Sequence, residues 1–210
     1  MLTVNCQSSI KIAGTKIIYF DPLNVAEEHD ADYILITHTH WDHFKKEDIL
    51  KIKKLNTKII GPKDIINDCL ELGFKEKDII TLKPYEQLSL EKITIKTVPA
   101  YNKTADFHPK QNLWLGYILT LDDETYYIMG DTDSLEENTK IKCDTLLIPI
   151  GGTYTMDAKE AANFTNKISP KTVIPIHYGL VVGTKKDLDY FKENINSNIK
   201  IVEKIEIINK

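Results

Sequence analysis

The chain has 210 residues, of which 42% are hydrophobic and 28% charged, a composition typical of a globular protein and unlike disordered or collagen-like chains. This length suffices to bury a sizeable core without disulfide support, which excludes a disulfide-dependent miniprotein. The formal net charge of −4 gives no general attraction to phosphate backbones or anionic membranes, so we expect neither nucleic acid nor membrane partners.

The first half of the chain predicts short strands and two helices. Apolar runs separated by Ala13-Gly14-Thr15 favour a β-hairpin, and the continuously apolar run at 33–36 favours a strand buried on both faces. The predicted elements are hairpin strands at 10–12 and 17–20, strands at 33–36 and 58–60, helices at 46–55 and 63–72, and consecutive antiparallel strands within 79–98.

In the second half, strands alternate with helices. The predicted elements are strands at 113–121, 125–129 and 145–150, a helix at 157–168, a strand at 172–176, a helix at 185–194 and a strand at 200–208. This order indicates two sheets packed together with helices outside, and functional residues at strand ends.

The cysteines and the N-terminus bear on location. Cys6, Cys69 and Cys143 are far apart in the chain and form no C-x-x-C pair, which is typical of buried thiols in a reducing compartment. The first residues contain no basic segment followed by an apolar one, and no apolar run approaches about 18 residues. We therefore expect a cytoplasmic protein.

Three of the six histidines fall within six consecutive positions, His38, His40 and His43. On an extended strand end, His38 and His40 point to one face, where two imidazoles suit a single divalent ion. A turn after His40 would direct Asp42 and His43 to a second ion beside the first. The cluster therefore predicts a metal centre with up to two ions.

This H-x-H-x-D-H segment after an apolar strand resembles the signature of the metallo-β-lactamase superfamily of metal-dependent hydrolases. Gly130-Asp131-Thr132 and the stretch 174–179 match further motifs in the expected order, each after a predicted strand. The likeness extends from about residue 5 to residue 203. It is greatest to the branch that contains ascorbate-6-phosphate lactonase, in which Asp21-Pro22 and the stretch 149–156 are also familiar.

The resemblance implies an α/β fold, a four-layer αββα sandwich of two mixed sheets with helices on the outside. It implies one domain over 1–210, built of two pseudo-symmetric halves at about 1–110 and 111–210. By position, His38 and His40 would bind the first ion, Asp42, His43 and His177 the second, and Asp131 both. The ions would be divalent, zinc first, with manganese or iron as alternatives.

One position departs from the family pattern. The family normally supplies another first-ion histidine in a loop that often begins Pro-Ala-aromatic, and here Asn102 occupies that position after Pro99-Ala100-Tyr101. An amide oxygen suits harder ions such as Mn²⁺ better than zinc. His108, six residues further on, is the alternative ligand. The sequence leaves open which of the two completes the first site.

Several residues beside the motifs are candidates for substrate binding. Tyr101, Tyr154 and Tyr178 offer hydroxyl donors for a developing oxyanion, Asn102 offers an amide, and Thr153 follows a Gly-Gly pair that suits a pocket-lining turn. His29 lies among acidic residues and is interpreted as a solvated side chain.

The predicted activity is hydrolysis of an ester, lactone, amide or phosphodiester of a small molecule by metal-bound hydroxide, with Asp42 and Asp131 as catalytic residues that orient the hydroxide or relay its proton. Two alternatives remain, a nuclease-like phosphodiesterase and a non-catalytic metal-binding module. The short chain without an excess of basic residues disfavours the phosphodiesterase. Asn102, in place of the usual histidine, is the reason to consider a non-catalytic module. The oligomeric state stays open, with a homo-oligomer allowed.

Overall fold

The computed structural model describes residues 1–104 and 106–203, which form two facing β-sheets. In the first sheet, β1 to β3 are antiparallel and β3 to β6 are parallel. Its six strands, in spatial order, are β1 (Leu2–Val4), β2 (Ile10–Ala13), β3 (Ile17–Phe20), β4 (Ala31–Leu35), β5 (Lys53–Gly61) and β6 (Ile79–Thr81). The predicted hairpin is confirmed, since Ile10 pairs with Phe20 and Ala13 with Ile17.

The second sheet is also mixed. Strands β7 to β10 are antiparallel, and β10 to β13 are parallel. Its seven strands are β7 (Gln87–Leu90), β8 (Ile93–Pro99), β9 (Leu115–Leu121), β10 (Glu124–Ile128), β11 (Thr145–Pro149), β12 (Thr172–Ile176) and β13 (Lys200–Ile201). The chain passes between sheets at residues 82–86, and the division into halves near residue 110 stays a prediction.

The alternation of side chains along the strands explains the layers. On β3, Ile18 and Phe20 point into a central core shared with the second sheet, whereas Tyr19 belongs to a separate cluster on the outer face. On β11, Leu147 faces that central core and Leu146 faces outward. Each sheet therefore has two apolar faces, and the outer ones need helices to cover them.

Four helices supply that cover: α1 (Lys46–Ile52), α2 (Ile66–Glu71), α3 (Ala158–Ile168) and α4 (Lys185–Glu193). Ile49 of α1 and Cys69 of α2 pack in the outer cluster of the first sheet, and Phe164 of α3 and Phe191 of α4 in that of the second. The predicted four-layer αββα sandwich is confirmed. Among the described residues, no helix has the length and apolar character needed to cross a membrane.

Three local predictions are corrected. The helix predicted at 46–55 ends at Ile52, because β5 begins at Lys53 and the next apolar residue, Leu55, is 83% exposed. Residues 79–81 form β6, which pairs in parallel with β5 after the α2 crossover and does not continue into the antiparallel strands. The predicted helix at 63–72 opens with one 3₁₀ turn before α2.

The predicted strand at 200–208 begins where expected and is described as Lys200–Ile201. Its remainder from residue 204 lies outside the described residues.

Candidate metal centre

The ends of four strands meet at one edge of the sandwich. In the second sheet, β8, β10 and β12 run in the same direction, so the segments that follow them emerge together. The segment after β4 of the first sheet joins them, where the Leu115 amide donates to the Thr37 carbonyl at 3.1 Å. The histidine cluster follows β4, His108 follows β8, Asp131 follows β10 and His177 follows β12.

Three histidines form the first group of converging donors. His38, His40 and His108 each offer a ring nitrogen, and these three atoms lie within 4.8 Å of one another. His38 Nε2 and His40 Nδ1 are 3.1 Å apart. The Trp114 indole lies against all three rings, with centroid distances of 4.9, 5.0 and 5.6 Å. The structure thus places His108 where the sequence left one ligand open.

Asp42, His43 and His177 form the second group, again with donor atoms within 4.8 Å of one another. Asp42 Oδ2 is 3.7 Å from His43 Nε2 and 3.6 Å from His177 Nε2. A turn brings this about, since the His43 amide donates to the His40 carbonyl at 2.9 Å. That turn is the one the sequence required if Asp42 and His43 were to face a second ion.

Asp131 lies between the two groups. Its carboxylate oxygens are 3.0 Å from His177 Nε2, 3.3 Å from His43 Nε2 and 3.4 Å from His108 Nε2. One carboxylate can bridge two cations through its two oxygens, and this position allows Asp131 to do so.

A buried aspartate that the sequence reasoning did not assign to the site orients histidines of both groups. Asp21 accepts hydrogen bonds from Thr37 Oγ1 at 2.6 Å and from His43 Nδ1 at 2.8 Å. Thr37 Oγ1 is also 3.0 Å from His38 Nδ1, and because its hydroxyl proton is donated to Asp21 it acts as the acceptor of this second bond. Both histidines therefore carry their proton on Nδ1 and present Nε2 to the site. The available signal was the Asp21-Pro22 pair directly after β3.

Asn102 plays the same supporting part for His108. Its side-chain amide donates to Asp133 Oδ1 and to the Tyr154 carbonyl at 2.8 and 2.9 Å, which identifies its oxygen as the acceptor. That oxygen is 2.9 Å from His108 Nδ1 and 3.1 Å from the His108 amide. The Asn102 side chain is buried behind His108, so its predicted roles as ligand or substrate contact are not those the structure gives it.

Burial and mutual charge set the protonation of the site. Burial drives the pKa of His38 well below its ordinary value, helped by the neighbouring His43 imidazole, so His38 offers a lone pair. Burial opposes a charge on His177, but the Asp131 and Asp42 carboxylates outweigh it and raise its pKa to about 9. Burial likewise disfavours the Asp131 anion, but His177 and His43 hold the pKa of Asp131 well below its ordinary range.

The site satisfies a chemical test for a bound cation. Of the eight buried side-chain polar atoms without a hydrogen-bond partner in the described residues, five lie here, on His43, His108, Asp131 and His177. Buried donors and acceptors are normally paired, and each unpaired one needs an explanation. Imidazole nitrogens and carboxylate oxygens are ligands for zinc, iron and manganese, so divalent ions would provide partners for four of the five atoms, all except His177 Nδ1, which points away from Nε2 of the same ring.

A pocket of about 310 Å³ opens onto these groups. It is lined by His40, Trp41, Asp42, Phe107, His108, Asp131, Tyr154, His177 and Val181. Among the predicted substrate-binding residues, Tyr154 therefore lies at the pocket.

The other predicted substrate residues lie elsewhere. Tyr101 directs its hydroxyl to Glu137 at 3.3 Å, and Tyr178 is buried in the apolar cluster beneath α3 and α4. Thr153 is exposed with a left-handed φ of 59° and does not line the pocket. His29 is exposed and pairs with Glu27 at 3.0 Å, away from the site.

Comparison with known proteins places this geometry in context. Residues 4–177 match the family model described as beta-lactamase superfamily domain. The chain is 31% identical over 206 residues to a UPF0173 metal-dependent hydrolase of Pyrococcus abyssi, covering 91% of this chain and 90% of the relative. A UPF0173 metal-dependent hydrolase of Thermococcus onnurineus is likewise 31% identical, over 210 residues, with 93% and 92% covered.

Solved structures give the same result. A Parabacteroides distasonis protein assigned as a metal-dependent hydrolase superposes with a TM-score of 0.81 at 31% identity, covering 97% of this chain and 91% of that one. Igni18, a metallo hydrolase of Ignicoccus hospitalis, superposes with a TM-score of 0.76 over 98% of this chain and 95% of its own, at 24% identity, which shows the shared fold.

Proposed function

The chain belongs to the metallo-β-lactamase superfamily and is a metal-dependent hydrolase, and we propose that it holds two divalent ions and hydrolyses an ester, lactone, amide or phosphodiester of a small molecule. The observation that carries the proposal is the position of Asp131 between two converging groups of donors. The pocket of about 310 Å³ suits a small substrate.

In this proposal His38, His40 and His108 hold the first ion, Asp42, His43 and His177 hold the second, and Asp131 contacts both. Zinc is the first candidate because five of the seven donors are imidazoles, while the carboxylates also accept manganese or iron. Such ions polarise the scissile group and lower the pKa of a coordinated water.

The protein side chains then have defined tasks. Asp21 fixes the Nδ1 proton of His43 directly and that of His38 through Thr37, and Asn102 fixes that of His108. Asp42 and Asp131 face the pocket and are the groups able to accept the proton of the attacking water and return it to the leaving oxygen or nitrogen. Cleavage breaks the bond to that atom, and the oxygen of water joins the carbonyl carbon or phosphorus.

The test combines metal analysis with a substrate panel. Purified protein is expected to contain zinc, manganese or iron and to turn over at least one compound among neutral aryl esters, lactones, amides and phosphodiesters. Asp131→Ala is expected to lose metal and turnover together, whereas His29→Ala keeps both because His29 lies outside the site. Full turnover in Asp131→Ala would contradict the two-ion proposal.

A further inference from the structure

The wall of the pocket around the metal centre is apolar. Apart from the proposed ligands, the pocket is lined by Trp41, Phe107, Tyr154 and Val181. Trp41 is 61% exposed, Phe107 47% and Val181 40%, and the Phe107 ring packs edge-on against Tyr154 with centroids 4.7 Å apart. Of the ten large hydrophobic side chains exposed in the described residues, three stand at this one opening. Such grouping marks a ligand contact, whereas single exposed residues do not.

Positive charge is missing from the same wall. The sequence contains no arginine, so lysine is the one permanent side-chain cation available, and no lysine lines the pocket among the described residues. The charged groups that do line it are the carboxylates of Asp42 and Asp131 and the titratable histidines. An anionic group held beyond the reacting bond, out of reach of the ions, would meet Trp41, Phe107 and Val181 without a side-chain cation to pair with.

The apolar residues and the proposed ligands are carried by the same segments. Trp41 stands between His40 and Asp42, and Phe107 immediately precedes His108. Val181 follows β12 in the segment that begins with His177, and its amide donates to Gln7 Oε1 at 3.4 Å. A substrate whose reacting group reaches the ligands therefore has its neighbouring substituent against these side chains.

We propose that the substrate is an uncharged carbonyl compound with an aromatic or branched apolar group beside the bond that is cleaved, and that Trp41, Phe107 and Val181 bind this group. This rests on the proposed function and narrows its substrate class to neutral esters, lactones and amides. Phosphorylated and other anionic substrates are excluded by it.

Thiols test the inference without turnover, because a thiolate binds cobalt(II) and produces an absorption band on doing so. The probes are 4-methylbenzyl thiol, 4-(mercaptomethyl)benzoate and ethanethiol, added to the full chain loaded with cobalt. The first two have the same ring and thiol, but the first carries a methyl group where the second carries a carboxylate. Ethanethiol lacks the ring. We expect 4-methylbenzyl thiol to bind at least about tenfold tighter than either, since about 60 Å² of buried apolar surface suffices for that factor.

Substitutions in the pocket wall test which side chains cause the preference for 4-methylbenzyl thiol. Trp41→Ala and Phe107→Ala are each expected to reduce the preference for 4-methylbenzyl thiol over the benzoate to less than about threefold, because each removes an aromatic surface worth several-fold in affinity. Tyr190→Ala is the matched control, since Tyr190 is an exposed aromatic residue of α4 outside the pocket, and it should keep the full preference.

The outcomes separate the two proposals. A chain that takes up no cobalt contradicts the proposed function, and this inference with it, before any thiol is added. Cobalt uptake followed by equal binding of the three thiols, tighter binding of the benzoate, or no binding of 4-methylbenzyl thiol overturns the apolar substrate class alone. An unchanged preference in both Trp41→Ala and Phe107→Ala does the same.

Discussion

At the scale of single residues, three contacts tie Asn102 to His108 across the loop after β8. The backbone amide of Asn102 donates to the His108 carbonyl at 2.8 Å. The side-chain oxygen of Asn102 accepts from both the backbone amide and Nδ1 of His108. The loop is thereby closed on itself, and His108 Nε2 is left facing Asp131 and the other imidazoles. Asn102 thus holds His108 in position, and His108 offers its Nε2 to the metal centre.

His108→Ala should remove one donor of the first group and leave the fold intact. We expect the affinity for the first ion to fall more than about 100-fold, beyond what loss of an outer-shell partner costs, and turnover to fall with it. Metal content by mass spectrometry and a competition titration measure this, with His29→Ala as control because that histidine is exposed. Full metal content in His108→Ala would remove His108 from the ligand set.

Asn102→Ala tests the supporting role separately. The imidazole of His108 remains but loses the acceptor for its Nδ1 proton, so the metal affinity should fall about 10- to 100-fold, less than in His108→Ala. The same competition titration gives the order of the two effects. If Asn102→Ala lowered affinity more than His108→Ala, Asn102 and not His108 would be the ligand.

At the scale of elements, the proposed ligands all lie in segments that follow strand ends, and none lies within a strand. Each proposed ligand comes within about ten residues after the end of β4, β8, β10 or β12, and the central core keeps those strands in register. The sequence predicted these strands because buried strands show apolar runs and period-two alternation. It mistook 53–55 for helix, since three-residue spacing continued past Ile52, and it could not show that β6 pairs across the sheet with β5.

Contacts between segments that are distant in the chain were also missed at the metal centre. Six of the seven predicted ligand residues, including His108, fall into the two converging groups and Asp131 lies between them, because all seven follow strand ends at one edge. Asp21 and Trp114 were not foreseen as neighbours of these histidines, since their contacts join segments that are distant in the chain. Tyr178 was expected at the pocket because it follows His177, but its ring points into the core.

Gly151→Ala tests how the segment after β11, which contains Gly151, packs against the segment after β12, which carries His177. A Cβ at Gly151 would lie 2.3 Å from the His177 carbonyl oxygen, so the segment that carries His177 must shift. We expect a stability loss of about 1–3 kcal/mol and weakened metal binding. Gly73→Ala is the control: its φ of +73° costs about 1 kcal/mol, and the nearest atom to its Cβ is Lys53 Nζ at an ordinary contact distance of 3.6 Å. Thermal unfolding and metal titration distinguish them, and equal metal affinity in both variants would show that the His177 segment tolerates the shift.

At the scale of the whole molecule, the metal centre joins the two sheets. His38, His40, Asp42 and His43 follow a strand of the first sheet, and His108, Asp131 and His177 follow strands of the second. Ions bound by both sets stabilise the packed state, because the unfolded chain does not bring these ligands together. Chelation of the ions should therefore lower the midpoint of thermal unfolding, and a midpoint unchanged by chelation would show that the sheets do not depend on them.

This stabilisation should depend on pH. In the metal-free protein the pKa of His177 is about 9 and that of His43 lies well above its ordinary value, so both carry protons near pH 7 that a cation must displace. Apparent metal affinity should then rise about tenfold per pH unit for each proton released, and the part of this rise that is due to His177 should level off above about pH 9. The gain in unfolding midpoint at fixed zinc concentration should accordingly grow between pH 6.5 and 8.5.

Calorimetric titration in buffers of different ionisation enthalpy counts the protons released as the ion binds. The expected number at pH 7 is at least one, and His29→Ala should release as many as the unaltered chain because His29 lies outside the site. Affinity independent of pH over this range, with no proton released, would mean that His177 and His43 are already neutral. Their charge in the metal-free protein would then not be the force that pairs them with Asp131 across the junction of the two sheets.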